Sequence, residues 1–151
     1  MSEWKNVQNE KDIEELLNAY NGFHDSCIAS LNFQSGTYVD NNYTMHFDGY
    51  KKYELHIIFN SQWYPKDLEL CFNGLRRLNL VGVQDNYMND ICEASIKFYD
   101  KLLPSKYQVP ERVIVWADCE DFDANAIDLQ LGEPADTYVI AHTLKWRFID
   151  K

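Results

Sequence analysis

The chain has 151 residues, of which 46% are hydrophobic and 25% charged, and its net charge is −10. This composition fits one domain over residues 1–151 with a buried core, and it excludes a disordered chain. The charge disfavours nucleic acid and anionic membrane surfaces, which draw affinity from Lys and Arg, and it favours a basic protein partner as well as plain solubility.

Ten Tyr, eight Phe and four Trp raise the expectation of sheet, because aromatic side chains suit half-buried pleated surfaces. No apolar run approaches the ~20 residues of a membrane helix. The first six residues, Met1 to Asn6, lack a basic segment followed by an apolar one, so a cytoplasmic location is expected. Cys27, Cys71, Cys92 and Cys119 are widely spaced and form no CxxC pair, which predicts reduced thiols and no zinc ligand set of the usual short spacing.

Residues 9–21 carry the first element. Ile13, Leu16, Leu17 and Tyr20 fall on one helical face, Asn9 can cap the start, and Glu10, Asp12, Glu14 and Glu15 suit the positive end of the dipole. Gly22 can adopt the left-handed conformation that stops a helix, with Phe23 folding back onto Leu17. The period then changes to two. Cys27, Ala29, Leu31 and Phe33 predict a strand, followed by a turn at Ser35-Gly36. Tyr43, Met45 and Phe47 predict another, and Tyr53, Leu55, Ile57 and Phe59 the clearest one.

Leu68, Leu70 and Phe72 alternate next. The Asn73-Gly74 pair then predicts a hairpin, with residues 75–81 returning. A helical turn at 88–93, alternation over Cys92, Ala94, Ile96 and Phe98, and a short apolar strand at 113–117 follow. Residues 118–134 are acidic and irregular, with room for a short strand at 126–131. In the last strand Tyr138, Ile140, His142, Leu144, Trp146 and Phe148 share one face. One N-terminal helix and about eight short strands predict an α+β domain, mainly antiparallel, built as a curved sheet or a sandwich-like pair.

Three groups of residues could carry chemistry. His24 and Asp25, beside Ser26 and Cys27, offer a base and its orienting carboxylate. The alternative is a turn in which Asp25 and Ser26 satisfy backbone N–H groups and His24 packs over the helix end. The second group is Trp116, Asp118, Glu120, Asp121 and Asp123. Residues 111–136 hold eight acids and one base, which reads as a solvated loop, a surface for a basic partner, or a site for a hard divalent cation. Third, His46 and His56 could face each other across a hairpin and bind zinc, but a third ligand is missing, and polar-face duty is the alternative. There is no glycine-rich phosphate loop, GxSxG or HExxH, so no cofactor is called for.

The segments Tyr20-Asn21-Gly22-Phe23-His24-Asp25-Ser26-Cys27-Ile28, Phe72-Asn73-Gly74-Leu75, Asp85-Asn86-Tyr87, Trp116-Ala117-Asp118 and Leu144-Lys145-Trp146-Arg147 together resemble a group of small bacterial proteins marked by an "FHDS" turn. Those proteins are similar in size, acidity and strand pattern to immunity proteins that neutralise toxins passed between bacteria. The resemblance implies protein binding and supplies no catalytic residues. The leading expectation is a non-enzymatic domain binding a basic toxin through His24, Asp25, Trp116, Asp118, Glu120, Asp121 and Asp123. The alternative is a small hydrolase-like or metal-dependent enzyme using His24 and Asp25, and a homo-oligomer is a further partner expectation.

Overall fold

The computed structural model describes residues 3–47, 49–82, 89–104, 110–128 and 136–150. Among them one helix, α1 (Glu10–Ala19), packs against an antiparallel sheet, the predicted α+β architecture in its curved-sheet form. The strands are β1 (Lys5–Val7), β2 (Ser26–Gln34), β5 (Glu54–Ser61), β6 (Asp67–Asn79), β7 (Ser95–Asp100), β8 (Arg112–Ala117) and β9 (Tyr138–Ile149), in the order β2-β5-β6-β9-β8-β7, with β1 also on β9. A separate two-stranded ribbon joins β3 (Tyr38–Val39) to β4 (Met45–His46). No helix among the described residues is long and apolar enough to cross a membrane.

The helix starts as predicted. Asn9 accepts the Asp12 N–H at 2.9 Å, and the Asp12 carboxylate accepts the Gln8 N–H at 2.9 Å, so two otherwise unpaired donors are satisfied. Ile13, Leu16 and Tyr20 are buried. At its end, Asn21, Gly22, Phe23 and Asp25 all have φ between 50° and 65°. Left-handed backbone costs a non-glycine residue roughly 1–2 kcal/mol, so something must hold Phe23 there. Its ring is fully buried, 5.0 Å from Phe59, 5.3 Å from Tyr20 and 5.7 Å from Trp116. The aromatic contacts thus run inward to β5 and β8 as well as back to the helix.

Two cores lie on opposite faces of the sheet. Ile114 and Trp116 of β8 face the larger one, with α1, Leu55, Ile57, Phe59, Leu68, Leu70 and Phe72. Val113, Val115 and Ala117 face the smaller one, closed by Phe122 and Ala124. The apolar anchors Phe122 and Ala124 explain why the acidic segment after β8 is ordered there. A 3₁₀ turn, Ala124–Ala126, follows, so Ala126 does not begin the expected strand at 126–131, the rest of which lies largely outside the described residues.

Three strand expectations need correction. Asn73-Gly74 is not a hairpin, because β6 runs straight through it for 13 residues, paired with β9 along its length. Gly74 has φ +71°, and the His142 imidazole lies where a Cβ would project, 2.6 Å away. The glycine therefore makes an irregularity within a strand, which is the other use of this residue type. Across it, β9 changes face: Leu144 and Trp146 join Val139 and Ala141 in the larger core, whereas Tyr138 and Ile140 face the smaller one. The expected single face from Tyr138 to Phe148 is thus broken. The strand predicted around Tyr43, Met45 and Phe47 shrinks to β4, with Tyr43 and Phe47 exposed.

Phe23→Ala should destabilise the protein by about 3–5 kcal/mol in urea unfolding, the usual range for an emptied aromatic core site, whereas Phe33→Ala at an exposed position should change stability by less than about 1 kcal/mol. Gly74→Ala should cost about 2 kcal/mol in the same measurement, because it adds a Cβ against His142 to an unfavourable φ.

Candidate functional site

The fold brings the two candidate stretches together. His24 follows the helix stop, and Asp118 and Glu120 follow the end of β8. Between them lies the segment carrying Asp90, Cys92 and Glu93. Together with Asp121 and Asp136 they line an open cleft of about 560 Å³. The joining is done by backbone: Ala94 N–H donates to the Gly22 carbonyl at 2.9 Å, Asp25 N–H to Ile91 at 2.9 Å, and Ile91 N–H to Ser26 at 2.8 Å. Asp118 N–H donates to Thr137 at 3.1 Å, which sets the acidic segment beside Asp136.

His24 is half exposed at the rim, not packed against the helix. Its Nδ1 is 2.7 Å from the Cys92 carbonyl oxygen, and its Nε2 is 3.3 Å from Asp25 Oδ2. The same Asp25 oxygen accepts the indole N–H of Trp63 at 2.9 Å. Ser26 donates its hydroxyl to the Phe23 carbonyl at 2.6 Å and is buried. Ser26 therefore serves the turn by donating to a carbonyl and Asp25 holds the Trp63 and His24 side chains, where the turn reading expected both to accept backbone N–H groups, and His24 ties that turn to the neighbouring segment.

Burial and carboxylate crowding together set the cleft's electrostatics. Burial, then the charge of Asp136, pushes Asp118 up to about 6. Glu120 is also raised, first by a hydrogen bond shared with the Glu93 carboxyl, then by the charges of Glu93 and Asp121. Like charges this close favour keeping a proton. His24 is the one imidazole lining the cleft.

Two of the expected site residues fall elsewhere. Trp116, placed by its sequence neighbours on the binding surface, is fully buried, because β8 sits inside the sheet and this residue faces the larger core. Asp123 caps the 3₁₀ turn by accepting the Asn125 N–H at 2.9 Å and lies apart from the cleft-lining residues. The exposed indole beside the site is instead Trp63, in the 62–66 connection between β5 and β6, which the sequence pattern did not single out.

A second polar cluster sits on the face of β5 and β6 opposite the larger core. His46 pairs with Tyr38 in the ribbon, so it does not face His56. His56 pairs with Cys71, and Glu54 lies two residues away on the same strand. His56 Nε2 is 2.5 Å from Glu54 Oε1 and 3.6 Å from Cys71 Sγ. Its Nδ1 is 3.1 Å from Glu69 Oε2, and Arg147 Nε donates to Glu69 Oε1 at 2.7 Å. The signal for this cluster was present in the sequence: the alternating runs that end at Phe59 and begin at Leu68, folded back on each other, place residue 56 opposite residue 71.

No family model, curated protein or solved structure matches the chain.

Asp118 also makes a testable statement about stability. Its folded pKa is raised, so its contribution to stability is present below the unfolded carboxylate range, near pH 4, and is lost as pH rises through about 6. Asp118→Asn should therefore stabilise the protein at pH 7.5 by on the order of 1 kcal/mol, after discounting for solvent screening, and lose that advantage at pH 4. Urea melts at the two pH values measure this difference directly.

Proposed function

We propose that the protein is a non-enzymatic binding domain whose acidic cleft receives a cationic group of a protein partner. One observation carries this reading. Carboxylates from three separate segments converge on one open cleft, where burial and then the charge of Asp136 raise Asp118, and Glu93 and Asp121 raise Glu120. An arriving Lys or Arg side chain would take the place of a proton there and relieve the repulsion. Trp63, exposed and hydrogen-bonded to Asp25 at 2.9 Å, adds an aromatic side chain of the kind that often anchors interfaces. The resemblance of the chain to small bacterial proteins that share the size, acidity and strand pattern of immunity proteins makes a basic bacterial toxin the first partner to assay.

The second reading is an enzyme using His24 and Asp25. It is favoured by the exposure of His24 at the cleft rim. Against it, both ring nitrogens already face acceptors, Nδ1 the Cys92 carbonyl of the neighbouring segment and Nε2 the Asp25 carboxylate, so neither is directed to an incoming substrate.

Titration with basic proteins separates these readings. Binding should weaken as salt rises. Charge reversal of Asp118, Glu120 and Asp121 should lower affinity by at least about tenfold, or 1.4 kcal/mol. Reversing Glu10 and Glu14, exposed on α1, is the control and should have a much smaller effect. Equal losses from cleft and helix would mean that net charge alone attracts the partner, and would overturn the assignment of the cleft.

A further inference from the structure

We propose that Glu54, His56 and Cys71 form a binding site for a single zinc ion on the polar face of the sheet. The three ligand atoms lie within 4.8 Å of one another, one from each residue. The site is built by strand pairing: Cys71 is opposite His56 across the β5–β6 ladder, and Glu54 shares the face of His56 two residues away. Residues two apart on a strand point to the same side, so this convergence follows from the backbone.

The distances suit zinc. Zn–S bonds of about 2.3 Å and Zn–N and Zn–O bonds of about 2.0–2.2 Å give tetrahedral edges of roughly 3.4–3.6 Å. Cys71 Sγ lies 3.6 Å from His56 Nε2 and 3.5 Å from Glu54 Oε1, matching two of the three edges. The third, His56 Nε2 to Glu54 Oε1, is 2.5 Å, a hydrogen bond that would open by about 0.9 Å as the ion entered. Mixed sulfur, nitrogen and oxygen ligands fit zinc, whereas Mg²⁺ and Ca²⁺ call for oxygen alone.

The surroundings also match a metal-binding histidine. One ring nitrogen faces Glu54 and Cys71, and the other faces Glu69, which Arg147 holds in place. A carboxylate on the far nitrogen fixes the ring and raises its basicity toward a metal. The Trp4 ring stands edge-on to the imidazole at 6.1 Å. Lys145, opposite Cys71 on β9, has its ammonium over the Trp4 ring, 4.7 Å from its centre. Glu54 and His56 keep partial solvent exposure while Cys71 is buried, so an ion would meet three protein ligands and an open fourth position.

Without an ion the thiol is protonated. Burial and the Glu54 carboxylate push Cys71 up to about 12, and its S–H points to Glu54. Entry of Zn²⁺ would form the Zn–S bond and release the thiol proton to solvent; the proton between His56 Nε2 and Glu54 Oε1 would leave as well, the imidazole keeping its N–H on Nδ1 toward Glu69, so that Nε2 and Oε1 each donate a lone pair to the ion.

The test uses the full chain, stripped with a chelator and titrated with Zn²⁺ by calorimetry and with Co²⁺ by visible absorption. One ion per chain is expected, with a thiolate-to-cobalt charge-transfer band. Glu54→Gln, His56→Gln and Cys71→Ser should each weaken binding by at least about tenfold, and Cys71→Ser should abolish the band. Cys92→Ser and Asp118→Asn, in the acidic cleft, should leave both unchanged. Circular dichroism checks that each variant is folded, and Glu54→Gln, at a partly exposed position, decides the matter if Cys71→Ser does not fold. Absence of stoichiometric binding, absence of the band, or binding equally strong in Glu54→Gln would overturn the proposal and leave an ion-pair network only.

Discussion

The packing of Phe23 into Tyr20, Phe59 and Trp116 is the contact on which the other elements depend. It joins the end of α1, the middle of the sheet at β5, and β8, elements far apart in sequence. The backbone around it is unfavourable, with four positive φ values in five residues. A fully buried aromatic side chain stabilises by about 1.5–3 kcal/mol relative to exposure, enough to offset one or two such residues. The turn then presents the carbonyl of Gly22, the N–H of Asp25 and the carbonyl of Ser26 to the segment carrying Ile91 and Ala94. Without the aromatic cluster that segment has nothing to dock on, and the cleft loses one wall.

The two polar sites divide the charge of the molecule differently. In the cleft, carboxylates of Asp118, Glu120 and Glu93 accumulate without a Lys or Arg among the described lining residues. On the sheet face, Glu54, His56, Glu69 and Arg147 alternate in a chain in which each acid has a basic neighbour. Crowded like charges favour binding something that arrives positive. A balanced chain holds its members in fixed directions, which is what a ligand set requires.

Local features were legible wherever short-range rules decide the structure. Asn9 capping α1, the helix stop at Gly22 and the alternation of Leu55, Ile57 and Phe59 all follow from neighbours a few residues away. The elements that went wrong depend on distant partners. Asn73-Gly74 has the chemistry of a two-residue hairpin, but β9 pairs on both sides of it and keeps the strand going. Trp116 reads as surface beside Asp118, yet β7 and β9 flank its strand and the two cores cover both faces. The cleft was half legible: His24, Asp118, Glu120 and Asp121 were named, but Glu93, Asp90 and Asp136 arrive through long-range backbone bonds that composition does not encode. The pairing of His56 with Cys71 could have been read by counting back from the loop between their strands.

The register of β2 shifts between Ile28 and Ser30 as it pairs with β5, and β2 is the terminal strand on that side of the sheet. A regular outer strand offers a row of unpaired N–H and C=O groups on which another chain can add as a further strand. The extra residue, Ala29, breaks that row near its middle and increases the local twist. The near end is also occupied, because Ser26 bridges to Ile91. An incoming strand would find only the short stretch beyond Ser30 in register, too little for stable edge-to-edge growth. The irregularity thus works as protection against ordered aggregation, and it directs association toward side-chain surfaces instead of the sheet's own hydrogen-bonding edge.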